Sequence, residues 1–227
     1  MTSESRERMQ REIAALAARR MAEFGDECAQ AKRKAVAEHF GAPRRANIVL
    51  PDDEQVADAL REHLRTFDSE HHGRRIERLR RRALAWMERL EAFDPHLVGA
   101  VLNGSATRFS AIQLQLFAES GKDVEMQLLA QDVSFRVEAP DSPAGHAIEL
   151  IGFLDDAAQE EADASARTMP TRIIATVFDP KALRVAPRNK MRNADPRLHP
   201  IECSGRANAA MLRELLEEST QPGKSMQ

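Results

Sequence analysis

Tyrosine is absent from the chain, tryptophan occurs once, and aromatic residues make up only 4% of 227 residues. A groove that stacks nucleic-acid bases needs exposed rings. A formal net charge of −3 offers phosphates no overall attraction. This composition argues against nucleic acid as a partner. Cysteine occurs twice, at Cys28 and Cys203, far apart in sequence. Two such residues make neither a disulfide framework nor a zinc site. No run of 18 or more apolar residues occurs, so no transmembrane helix is expected. Met1 to Arg11 is polar and charged, unlike a secretory leader. These absences lead to the expectation of a cytoplasmic protein with no membrane partner. With 42% hydrophobic and 30% charged residues the chain can still bury a core.

The first part of the chain reads as helix. Met9, Ile13, Leu16, Phe24, Cys28 and Val36 fall mostly on one helical stripe. This predicts a long helix from about Glu4 to Phe40, ended by Gly41, Pro43, Arg44 and Arg45. Such a stripe is longer than a small sheet can cover, so two readings stand: it packs on the other two helices, or it is a helical arm that makes a homodimer with a second copy of the chain. Asp52 or Asp53 predicts an N-cap for a second helix through Val56, Leu60, Leu64 and Phe67. His71, His72 and Gly73 predict an interruption. A third helix carries Ile76, Leu79, Ala83, Trp86, Met87, Leu90 and Phe93 and closes at Asp94-Pro95. Its arginines 74, 78, 81 and 82 are expected on one solvated face, balanced by Glu70, Glu77 and Glu88.

The hydrophobic period then changes. Leu97 to Leu102 is a continuous apolar run, read as a buried strand, and Asn103-Gly104-Ser105 is a turn. Ile112, Leu114 and Leu116 alternate with Ala111, Gln113 and Gln115, the pattern of a half-buried strand. A helix over Asp123–Gln131 and strands at Val133–Val137, His146–Leu154 and Arg172–Phe178 follow. Pro140 to Gly145 reads as a turn, and Asp155–Arg167 as an acidic loop or short helix. Arg184–Pro200 is basic and proline-rich, and Ala207–Glu218 reads as a last helix. Helices before strands favour an α+β fold with a small mixed sheet. The expected divisions are a helical region over 1–94, an α/β core over 95–180 and a basic tail with a short helix over 181–227.

The string from Leu97 to Phe117 carries the chemistry. Gly104-Ser105 follows the expected strand, and Ser110, Ile112 and Leu114 fall at the start of the next. In these residues the chain resembles the nucleotidyltransferase superfamily, which includes DNA polymerase beta and the minimal nucleotidyltransferases. The resemblance implies a Gly-Ser that approaches the triphosphate and a pair of aspartates two residues apart on the second strand. It also implies a third carboxylate from a later strand. Residues i and i+2 of a strand share a side, so two carboxylates there hold the two Mg²⁺ ions of nucleotidyl transfer. Here those two positions are Ala111 and Gln113. A carboxylate about 4 Å from a unit positive charge contributes about 4 kcal/mol at an effective dielectric of 20. Losing two removes the ordinary two-metal site unless Glu119, Asp123 or Glu149 replaces them, and Glu149 fits the third position.

The resemblance thus implies a degenerate member: a pseudoenzyme binding a nucleotide or a partner, with Mg²⁺ weak or absent. Gly104, Ser105, Arg188 and Lys190 are its candidate nucleotide-binding residues, a nucleoside triphosphate its candidate ligand, and no residue is a metal ligand. The alternatives are an active enzyme using Glu149 as catalytic acid, and a scaffold acting through its helices. The chain is also similar as a whole to bacterial proteins loosely labelled nucleotidyltransferase, some carrying the label UDP-N-acetylmuramate–alanine ligase. That ligase chemistry needs a glycine-rich phosphate loop ending in Lys and Thr or Ser, and none occurs. His71 and His72 diverge as neighbours on a helix and make poor metal ligands, while His96 and His146 read as strand-end residues. Cys28 reads as core, and Cys203 has no activating partner.

Overall fold

Two helices occupy the span where one long helix is expected: α1, Ser3–Phe24, and α2, Cys28–Phe40. The computed structural model describes residues 3–40, 49–139, 147–155, 170–187, 190–191 and 195–220. The break is at Gly25, whose φ of 72° is left-handed and whose N–H reaches the Met21 carbonyl. Glycine in that conformation ends a helix. Asp26 then accepts from Arg20 at 2.9 Å and from Lys34 at 2.6 Å, pinning the corner. The chain turns back, and Ile13, Ala14 and Ala17 pack with Ala31, Ala35 and Val56. Ile13 of the expected stripe is thus buried and Met9, Leu16, Cys28 and Val36 pack beside it on the protein's own helices, while Phe24 stays 64% exposed. The expected stop at Gly41–Arg45 lies outside the described residues.

Helix α3, Asp53–Phe67, begins with a full capping box. The Asp52 carboxylate accepts from the Gln55 N–H at 2.7 Å, and Gln55 Oε1 accepts from the Asp52 N–H at 2.9 Å. Val56, Leu60 and Leu64 are buried as their spacing requires. Helix α4, Ser69–Arg89, passes straight through His71–Gly73, so the expected interruption falls instead at Asp68. A single glycine costs a helix only about 1 kcal/mol. Burial of Ile76, Leu79, Ala83, Trp86 and Met87 on one face of α4 outweighs it. A 3-10 turn at Glu91–Phe93 and Asp94 at φ 47° close this region.

The sheet follows. Its strands are β1 (His96–Val98), β2 (Ile112–Phe117), β3 (Phe135–Glu138), β4 (Ala147–Asp155) and β5 (Thr171–Phe178). Helix α5 (Gly99–Leu102) lies between β1 and β2, α6 (Gly121–Ala130) between β2 and β3, and α7 (Ala209–Thr220) ends the described chain. The strand order is β1-β2-β5-β4-β3; β2 and β5 are parallel and the other neighbours antiparallel. The protein is therefore α+β, with helices first and a mixed sheet after. The run Leu97–Leu102 is not one strand. It leaves the sheet at Gly99, where φ is 72°, and winds into α5. The expected turn at Pro140–Gly145 and the acidic residues 156–167 lie outside the described residues.

The chain forms two compact units. One comprises residues 1–76 with 104–110, so the segment after α5 belongs with the first helices. The other comprises residues 77–103 with 111–227 and holds the sheet. One face of that sheet is apolar and buried: Leu97, Ile112, Leu114, Leu116, Ile151, Phe153, Ile173, Ala175 and Val177. Trp86 of α4 packs on Phe153 there, ring centroids 4.7 Å apart. Leu97 exchanges both backbone hydrogen bonds with Ala207, just before α7. Among the described residues no helix is long and apolar enough to cross a membrane.

Candidate functional site

The side chains at issue lie on the opposite face of the sheet, and register places them. Residues paired across neighbouring strands point to the same side. Gln113 pairs with Val98 on one flank and Ile174 on the other; Ile174 pairs with Gly152, and Gly152 with Arg136. The next row is His96, Gln115, Thr176, Leu150 and Glu138. Among these described positions the single carboxylate is Glu138, on the far edge strand. Three strand spacings separate it from β2, about 14 Å at ~4.8 Å each.

Glu149 is on the other face. It pairs with Val177, which pairs with Leu116, and both partners belong to the buried side. Its Oε2 is buried without a hydrogen-bond partner. The carboxylate rests against Gly121, the first residue of α6; a Cβ there would stand 1.7 Å from Oε2. A helix N-terminus carries partial positive charge, which favours a carboxylate beside it. Glu149 and Gln113 therefore do not converge. Glu119 and Asp123 follow the far end of β2, whereas Ala111 and Gln113 lie at its start. Gln113 and Phe117 are themselves about 13 Å apart at ~3.3 Å per residue.

Gly104 and Ser105 lie after α5 rather than at a strand end. Gly104 has φ 75°, and its carbonyl is 3.0 Å from His72 Nε2. Ser105, Ala106 and Thr107 are all buried. The turn is completed locally, with Ser110 Oγ accepting from the Thr107 N–H at 2.9 Å and Thr107 Oγ1 from the Phe109 N–H at 3.1 Å. The pair expected to meet phosphate thus sits inside the helical unit. Lys190 is exposed, and Arg188 lies outside the described residues.

The residue that does end β1 is Gly99, which no motif in the sequence marks. Its positive φ disfavours an ordinary side chain, and the Gln113 side chain fills the space a Cβ would take, Oε1 2.2 Å from that position. Gly99 and Gln113 together form the corner where a strand end meets the second residue of β2. The signal was present as a glycine inside an apolar run, but glycine in such a run also fits a plain buried strand.

Other candidates resolve into packing. Arg80 is buried and donates to the carbonyls of Val101 and Leu102 while pairing with Glu202 at 2.6 Å. Arg82 bonds Thr171 Oγ1 and stands 3.4 Å from Asp155, so it leaves the expected arginine face for the sheet. Burial pushes the Cys28 thiol up to about 11, with the Asp53 charge adding to it. It is no nucleophile at neutral pH. His96 is held below the ordinary imidazole range by burial, against the raising effect of its hydrogen bond to the Asp94 carbonyl.

His199, Glu214 and Glu218 form the one group of three that lies close enough for a metal among the described residues. His199 Nδ1 accepts from the Ile201 N–H at 3.2 Å, so in the neutral ring Nε2 carries the proton and donates to Glu218 at 3.0 Å. That leaves no lone pair at Nε2 for an ion. No protein-family model, no curated protein and no solved structure matches the chain.

Proposed function

We propose that this protein is a nucleotidyltransferase-like pseudoenzyme that binds a nucleotide without Mg²⁺ at the corner formed by Gly99, Ala111 and Gln113. One observation carries the reading: the row of side chains through Gln113 holds no carboxylate. Two-metal transfer needs anionic oxygens on both ions. Val98, Gln113, Ile174, Gly152 and Arg136 supply none. What the near members supply is an amide and apolar surface, which suit holding a ligand rather than activating one; Arg136, like Glu138, stands three strand spacings from β2. Catalysis through Glu149 is the less favoured reading, because that carboxylate shares a face with Leu116 and Val177 and rests on α6.

A second reading has its own support. Ile148 is 39% and Leu154 54% exposed in β4. Exposed aliphatic residues on a sheet suit a protein partner. The test is thermal unfolding with a panel of nucleoside triphosphates, with and without Mg²⁺. A ligand at 100 times its dissociation constant adds about 2.7 kcal/mol of stability. The expected result is a shift indifferent to Mg²⁺ and lost in Gln113→Leu, an exposed position where folding is retained. The double variant Ala111→Asp, Gln113→Asp is expected to make the shift Mg²⁺-dependent. A Mg²⁺-dependent shift in the unaltered protein would restore the enzyme reading. No shift with any nucleotide would leave the partner reading.

A further inference from the structure

The helical unit holds a cleft of about 710 Å³, lined from α1 by Ala15, Leu16, Arg19, Ala22 and Glu23. Leu64 and Phe67 of α3, Arg75 of α4 and Thr107-Arg108 complete most of its wall. That volume is in the range of small-molecule sites. Its floor is aliphatic. Its rim carries aromatic rings and charges of both signs, Glu23 and Asp68 beside Arg19, Arg75 and Arg108: Phe67 is 77% exposed and lies 4.7 Å from the His63 ring, centroid to centroid.

The charges in the cleft do not cancel. Arg19 pairs with Glu23 at 2.9 Å and Arg75 with Asp68 at 2.8 Å. Arg108 has no carboxylate partner among the described residues. Its Nη2 donates to the Glu23 carbonyl at 3.2 Å, and its guanidinium lies over the Phe109 ring at 4.7 Å. Phe109 in turn packs on Gly25, where a Cβ would come within 2.7 Å of the ring. The guanidinium is therefore held from two sides with most of its five N–H donors unspent. A fixed guanidinium beside apolar surface is a pre-organised receptor for an oxyanion.

We propose that this cleft binds a small planar aromatic molecule bearing one oxyanion, its ring against Phe67 and Leu64 and its anionic group on Arg108. Aromatic carboxylates and mononucleotides share this chemistry. The site uses no residue of the sheet, so it stands or falls apart from the corner at Gln113.

Anilinonaphthalene sulfonate is a suitable probe, being itself a planar aromatic monoanion. The native protein is expected to bind it saturably, one per chain, with a rise in fluorescence. Arg108→Gln should weaken binding about tenfold or more, and Arg108→Lys should recover part of the loss, since a point charge replaces a fork. Ala15→Phe is the second variant. It stays on an exposed position of α1, keeps every charge and narrows the cleft, so it should weaken binding while circular dichroism is unchanged. Displacement of the probe by indole acetate identifies a carboxylate ligand, and displacement by AMP a mononucleotide. Equal affinity in the native protein, Arg108→Gln and Ala15→Phe would overturn the proposal, as would displacement by neither competitor.

Discussion

Two glycines fix the surroundings of the sheet's polar residues, each by what it leaves out. At Gly121 a methyl group would collide with the Glu149 carboxylate, which has nowhere to go but away from the α6 terminus. Gly121→Ala is therefore expected to lower stability by about 1–3 kcal/mol, the usual range for overpacking. The double variant Gly121→Ala, Glu149→Ala should recover most of the loss, and urea unfolding of the three proteins measures it. If the single variant is as stable as the parent, the close approach is not structural. At Gly99 the obstacle is the backbone itself. Left-handed φ costs an L-residue roughly 1–2 kcal/mol, so Gly99→Ala should be destabilising even when Gln113 swings aside. Neither role was legible in the sequence. Gly99 sits within an apolar run, and Gly121 owes its importance to a strand 28 positions later. Gly104-Ser105, by contrast, was conspicuous as a turn, and a turn is what it is.

Among the elements, those governed by local chemistry were readable. The α3 cap at Asp52 and the apolar spacing of Val56, Leu60 and Leu64 follow from short-range rules, and the structure bears them out. Asp52→Ala should cost about 1 kcal/mol of stability, seen as a lower unfolding midpoint with an unchanged slope. The α1–α2 corner was not readable, because Gly25 interrupts a stripe that continues on both sides of it. That corner carries its own pH dependence. The Lys34 ammonium, and with it Arg20, holds the Asp26 carboxyl below the usual carboxylate range. A carboxyl depressed in the folded state binds its proton more readily once unfolded. Its contribution is complete above the unfolded value near 3.8 and is lost as pH falls through the lower folded value. Stability of the native protein should therefore decline on acidification through that window, and Asp26→Asn should flatten the decline while lowering stability at neutral pH. An unchanged acid limb in the variant would show that the corner is not where the protons go.

For the whole molecule, the order of helices and strands was enough for the α+β class, since a change of hydrophobic period from helix to strand survives in any sequence window. Strand order and unit membership are set by contacts between distant residues, and no local pattern encodes them. The clearest instance is the segment 104–110, which leaves the sheet-bearing part of the chain and joins the helical unit. Phe109 packs on Gly25 and Arg108 caps the end of α1 at the Glu23 carbonyl. A contact of this kind makes two chain segments open and close together. The amide of Gly25, bonded to Met21, and those of Phe109 and Ser110, bonded to Thr107, should then exchange hydrogen as one group. Phe109 is half exposed, so Phe109→Ala removes the contact without emptying a core. The variant should speed exchange at all three amides together and leave Leu114, Ile151 and Ile173 at the native rate, because those strands lie in the other unit. Were Gly25 to keep its protection while Phe109 and Ser110 lost theirs, the segment would be a passive loop, and the guanidinium of Arg108 would lose the support that makes it a receptor.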